Sequence, residues 1–206
     1  LAAERAGLSA SAPLVRARTA WAVGRSPDPF IGFPMLSLMR DDDPLVRRCA
    51  LETLADHLSA VKADMVAAFL PENLGHPDKR VRQAAARLLT QMPEKEWTSL
   101  WNERASYGGD AALSIALAAL WRTPDAPVNV AAAETAIPVI EQNRDERIRL
   151  DAVRLITRAL GDWNVDRPTV EIFTGYEWPQ ALTNHAAVLE RIRQAVRPIF
   201  PSKDTR

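Results

Sequence analysis

The sequence predicts an all-α fold: a right-handed α-α superhelix, or solenoid, of about five helical hairpins followed by a C-terminal extension. Three observations carry that expectation. An aspartate, two variable positions, an aliphatic residue and an arginine recur at Asp43–Arg47, Asp78–Arg82 and Asp145–Arg149, with a degenerate copy from Asp110 to Ser114. The four aspartates lie 35, 32 and 35 residues apart (43 to 78, 78 to 110, 110 to 145), the period of a helical-hairpin repeat. Hydrophobic residues make up 47% of the chain but aromatics only 6%, so alanine and aliphatic side chains dominate and suit closely stacked helices.

Aligned on the aliphatic position, Val15, Val46, Val81, Leu113 and Ile148 fall in register. Four residues on stand Thr19, Ala50, Ala85, Leu117 and Ala152, and eight on stand Val23, Leu54, Leu89, Trp121 and Ile156. That spacing traces one stripe of an amphipathic helix. It predicts the second helices of the hairpins over 13–24, 44–59, 78–92, 110–122 and 145–160. First helices are predicted over 1–10, 29–39, 61–74, 94–105 and 127–142, with Pro27, Pro29, Pro77, Pro93, Pro124 and Pro127 punctuating the joins. Pro34, Pro71 and Pro138 fall within or near the ends of first helices, where a missing N–H predicts a kink or early end.

Each recurring aspartate suits an N-cap, because its carboxylate accepts from the open N–H groups of the first turn and faces the positive end of the helix dipole. Pro44 follows Asp43 at the first helical position, where no N–H is needed. Aspartate and arginine four apart share a helix face and can pair within a repeat, or each arginine can reach the aspartate of the next. The expected structural ladder is Asp43, Arg47, Asp78, Arg82, Asp110, Asp145 and Arg149.

These residues resemble the HEAT repeat family, including the shorter HEAT-like repeats of bacterial proteins. The likeness rests on Asp-x-x-Val-Arg, the alanine four residues beyond the aliphatic, and the proline-bent first helices, and covers roughly residues 1–160. Ala12 replaces the aspartate in the first copy and Ser114 the arginine in the fourth, which predicts a weaker ladder at those two places. The resemblance implies a non-catalytic scaffold for a protein or peptide partner. HEAT-like repeats also build a family of alkylpurine DNA glycosylases with a tryptophan-lined cleft and an aspartate, so nucleic-acid binding or that enzyme is the alternative. A structural spacer between domains is a further one.

Residues 161–206 break the pattern and are expected to form a non-repeat loop and capping helix. Gly161 suits a left-handed C-cap, 169–174 has strand-like composition, and a last helix over 181–197 carries Leu182, Ala186, Leu189, Ile192 and Val196. The segment is similar to stretches that follow HEAT-like repeats in large bacterial multidomain proteins, some with c-type haem modules. No Cys-x-x-Cys-His occurs here, so no haem role follows. The start at Leu1 rather than methionine gives the expectation of a piece of a larger protein, and the sequence assigns it no compartment.

Basic and acidic residues number 26 each, so net charge draws the chain toward neither nucleic acid nor an anionic membrane. No apolar run is long enough to span a bilayer. The single cysteine, Cys49, reads as a small buried hydrophobe, and His57, His76 and His185 are scattered without metal-ligand spacing, so no cofactor or metal is expected. Asp41, Asp42 and Asp43 form the densest acidic cluster; capping accounts for Asp43 and solvent exposure for the other two. Trp21, Trp97, Trp101 and Trp121 read as fillers between repeats, whereas Trp163 and Trp178 lie outside the periodic helices and suit recognition. The expected partner surface is Arg48, Gln83, Arg87, Arg154 and Arg158 on the second helices, with Trp163 and Trp178.

Overall fold

The computed structural model describes residues 6–25, 32–123, 125–142, 145–160 and 185–199, and all regular structure among them is helical. The chain forms two compact units, Leu1–Ala118 and Ala119–Arg206. In the first, the helices are α1 (Pro13–Val23), α2 (Gly32–Leu38), α3 (Pro44–Asp56), α4 (Ala63–Leu74), α5 (Lys79–Thr90) and α6 (Glu94–Glu103). Helix α7 (Gly109–Arg122) contains the division between the units.

The packing order is that of stacked hairpins. First helices α2, α4 and α6 form one layer, with α2 against α4 and α4 against α6. Second helices α1, α3 and α5 form the other, side by side, and α2 with α3 and α4 with α5 close the hairpins. The expected stripe is the buried one in the middle of this unit: Val46, Ala50 and Leu54, then Val81, Ala85 and Leu89, are all fully buried. Truncating a fully buried leucine such as Leu54 to alanine costs about 2–5 kcal/mol, so the repeated stripe supplies much of the stability. Val15 departs from the pattern at 45% exposed; α1 keeps the expected Val23 and packs otherwise through Ala17 and Ala20. Small side chains at 17 and 20 let α1 approach α3 closely.

The end of α1 is fastened tightly to α3. Thr53 Oγ1 donates to Ala20 O (3.1 Å). His57 Nε2 lies 2.6 Å from Gly24 O, and since a carbonyl only accepts, that nitrogen carries the proton. A Cβ at Gly24 would stand 2.6 Å from Thr53 Oγ1, so the close approach requires glycine there.

Pro71 and Pro138 sit inside helices that continue to Leu74 and Gln142, so neither ends its helix at once. Pro34 occupies the first turn of α2, where its missing N–H costs nothing. In the second unit α8 (Ala126–Gln142) packs against α9 (Glu146–Ala159), and α10 (Ala186–Val196) packs against α8. Helix α9 buries Ala152 and Ile156 as expected, together with Leu155 and Ala159. The buried stripe of α10 is Val188, Ile192 and Ala195, which shares only Ile192 with the expected one. Both sets have helical spacing, and packing against α8 selects between them. Gly161, the strand-like stretch 169–174 and Leu182 lie outside the described residues.

Candidate functional site

Two side chains at the start of the second helices organise the repeat, an N-cap aspartate at α3, α5 and α9 and an arginine in α1, α3 and α5. Helix α1 has no side-chain cap, and Asp110 lies within the first turn of α7 instead of capping it. Asp43 Oδ1 accepts from the N–H groups of Leu45 (2.8 Å) and Val46 (3.4 Å), and Asp78 Oδ1 from those of Arg80 (2.7 Å) and Val81 (3.4 Å). Asp145 Oδ1 accepts from Arg147 N–H at 2.8 Å. Each such cap satisfies donors that the helix leaves open and contributes about 1 kcal/mol.

The arginine after the aliphatic position turns back to the loop before its own helix. Arg16 Nη1 donates to Ala10 O (2.8 Å) and Ser11 O (2.9 Å). Arg47 Nε donates to Asp41 O (2.6 Å), and Arg82 Nη1 to His76 O and Pro77 O (both 2.9 Å). The carbonyl six residues upstream is the acceptor in all three copies. The remaining guanidinium edge faces the next repeat and meets a different carboxylate each time. Arg16 forms a two-pronged pair with Asp41 (2.7 and 2.8 Å), Arg47 Nη1 donates to Glu72 (2.8 Å), and Arg82 Nε stands 3.5 Å from Asp110. In the fifth copy, buried Arg149 Nε has no partner among the described residues.

Asp41 therefore departs from the expectation of simple solvent exposure. Its carboxylate is nearly buried, accepts the Arg16 fork and the Asp43 N–H, and is held below the ordinary aspartate range chiefly by the Arg16 hydrogen bond. The sequence signal for this lay in Arg16, which occupies the same register as Arg47 and Arg82.

The opposite, solvent-facing edge of α1, α3 and α5 holds part of the expected partner surface. Arg48 Nε pairs with Glu52 one turn on (2.7 Å), Gln83 is exposed, and Arg87 Nη2 reaches across to Asp56 of α3 (2.8 Å). Between these helices is a pocket of about 190 Å³ lined by Trp21, Gly24, Arg25, Glu52, Thr53, Asp56 and Arg87. Trp21 is 52% exposed rather than a gap filler, and the Arg25 guanidinium sits 4.1 Å over its ring. Trp97 and Trp101, by contrast, stack at 6.0 Å against the core.

In the second unit Arg154 pairs with Asp151 (3.1 Å). Arg158 lies 5.6 Å from the half-exposed Trp121 ring, where burial pulls its pKa down. Trp163 and Trp178 lie outside the described residues. Burial pushes the Cys49 thiol up, which disfavours the reactive thiolate. Among the described residues there is no metal-sized cluster of His, Cys, Asp or Glu, and no helix long and apolar enough to cross a membrane.

Paired helices in two layers, with the loops before α1, α3 and α5 each tied down from within the following helix, define a helical-hairpin repeat. Residues 5–90 match the family model of HEAT repeats, which supports the HEAT-like reading of that stretch. A search of curated proteins finds no match. HEAT repeats generally serve as protein–protein interaction scaffolds and are typically non-catalytic.

Proposed function

We propose that this chain is a non-catalytic interaction scaffold that binds a protein or peptide along the exposed edges of its second helices. One observation carries the reading. The second helices α1, α3 and α5 stand side by side, and each leaves a polar, arginine-containing edge uncovered beside the pocket at Trp21. Stacked hairpins present such an edge as a continuous surface, large enough for an extended partner. Arg48, Gln83 and Arg87 belong to this surface in the first unit, and Arg154 and Arg158 to a separate stretch in the second. Residues 1–160 would form the repeat array, and 161–206, with Trp163 and Trp178, its end segment.

The test is site-specific photocrosslinking. A photoreactive residue at Gln83 captures a discrete partner that Arg87→Glu abolishes, while the same group at exposed Lys95 on the opposite layer captures none. Equal capture from both positions, or none from Gln83, overturns the proposal.

A further inference from the structure

The charges on the exposed edge of the first unit are unequal. One stripe at helical spacing runs along α1 through Leu14, Arg18, Trp21 and Arg25, a second along α3 through Leu45, Arg48, Glu52 and Asp56, and a third along α5 through Arg80, Gln83 and Arg87. The lining of the pocket by residues of all three shows that the stripes face the same way. Both carboxylates are already engaged, Glu52 by Arg48 and Asp56 by Arg87. Among the described residues Arg18, Arg25 and Arg80 have no carboxylate partner, so they leave an unmatched positive charge in a chain whose net charge is zero. Leu14, Trp21 and Leu45 are each more than two-fifths exposed on the same stripes, which adds apolar contact between the cations.

We infer that this α1–α3–α5 edge binds an acidic segment of a partner protein, one carboxylate seating in the pocket between Arg25 and Arg87. The inference rests on the scaffold reading and names its partner chemistry. Stacking on Trp21 occupies only the face of the Arg25 guanidinium, so its N–H edge remains available to a carboxylate. At about 190 Å³ the pocket is below the size of ordinary small-molecule sites and suits one side chain. The Arg87–Asp56 pair, more than half exposed on both sides, is weakly held, so Arg87 can share its fork with an incoming carboxylate at little cost. A nucleic-acid backbone fits less well, because Glu52 and Asp56 interrupt the row of cations that successive phosphates require.

Fluorescence anisotropy on the full chain tests this. The probes are a labelled peptide of Glu, Leu and Phe, the same peptide with every Glu replaced by Lys, and an oligothymidine of matched charge. The Glu peptide is expected to bind with salt-sensitive affinity and the Lys peptide not at all. Arg25→Glu and Arg80→Glu, both exposed and checked for intact helicity, are each expected to weaken the Glu peptide about tenfold, and Trp21→Ala to weaken it as well. Stronger binding of the Lys peptide, equal binding of oligothymidine, or unchanged affinity in both charge reversals overturns the inference. If the Glu peptide fails while Gln83 still captures a partner, this inference alone falls. If Gln83 captures none, the scaffold reading falls with it.

Discussion

Replacing Arg82 by methionine removes a guanidinium whose side chain is only 6% exposed while keeping most of its apolar stem. Two charge-assisted hydrogen bonds, to His76 O and Pro77 O, are lost. At roughly 1.5 kcal/mol each, the low end for bonds to a charged group, they account for about 3 kcal/mol. The 3.5 Å ion pair with Asp110 is lost as well, which adds about 1 kcal/mol and brings the expected loss to roughly 4 kcal/mol. For a chain of this length that lowers Tm by about 10 °C. Arg87→Met is the internal comparison: its pair with Asp56 is exposed on both sides, and the loss there is about 1 kcal/mol or less. Urea unfolding followed by far-ultraviolet circular dichroism measures both variants. An Arg82→Met loss no greater than that of Arg87→Met would refute the view that this arginine fastens its loop.

Gly24→Ala forces a methyl group against the Thr53 side chain and is expected to destabilise by about 1–3 kcal/mol. In a double-mutant cycle with Thr53→Ala the two losses should be less than additive; simple additivity in urea unfolding counts against the steric account. Asp41, held low by Arg16, contributes stability in full above its unfolded value near 3.8 and loses it as pH falls through its lowered folded value. Asp41→Asn should therefore unfold with a flatter acid limb below that pH than the parent chain, and superimposable acid limbs would sink the assignment.

The fold was legible because one residue type recurred at each decisive place. The aspartates at 43, 78 and 145 begin helices, and the stripe from Val46 to Leu54 and from Val81 to Leu89 is core. Register was less legible where alternatives were equally apolar, as in α10, where Leu189 and Val188 compete for the buried side. The seam between repeats was harder still. An arginine donates to any carboxylate within reach, and whether that is Asp41, Glu72 or Asp110 depends on tertiary placement, which local spacing does not encode. Trp21 misled for a related reason: a helical apolar position implies burial only where a neighbouring element covers it.

The backbone tie made by each arginine also bears on how such an array diversifies. Because the guanidinium holds a carbonyl, this tie does not depend on which side chain the held residue carries. Alanine, aspartate and histidine occupy that place in successive copies, at positions 10, 41 and 76. One has no functional group, one has been drawn into the pair with Arg16, and one accepts from Asp78 N–H through its ring. In these three copies the motif thus keeps a slot where the side chain can change while the arginine's backbone tie remains. Similar repeats can accumulate different surfaces while their shared architecture is inherited unchanged.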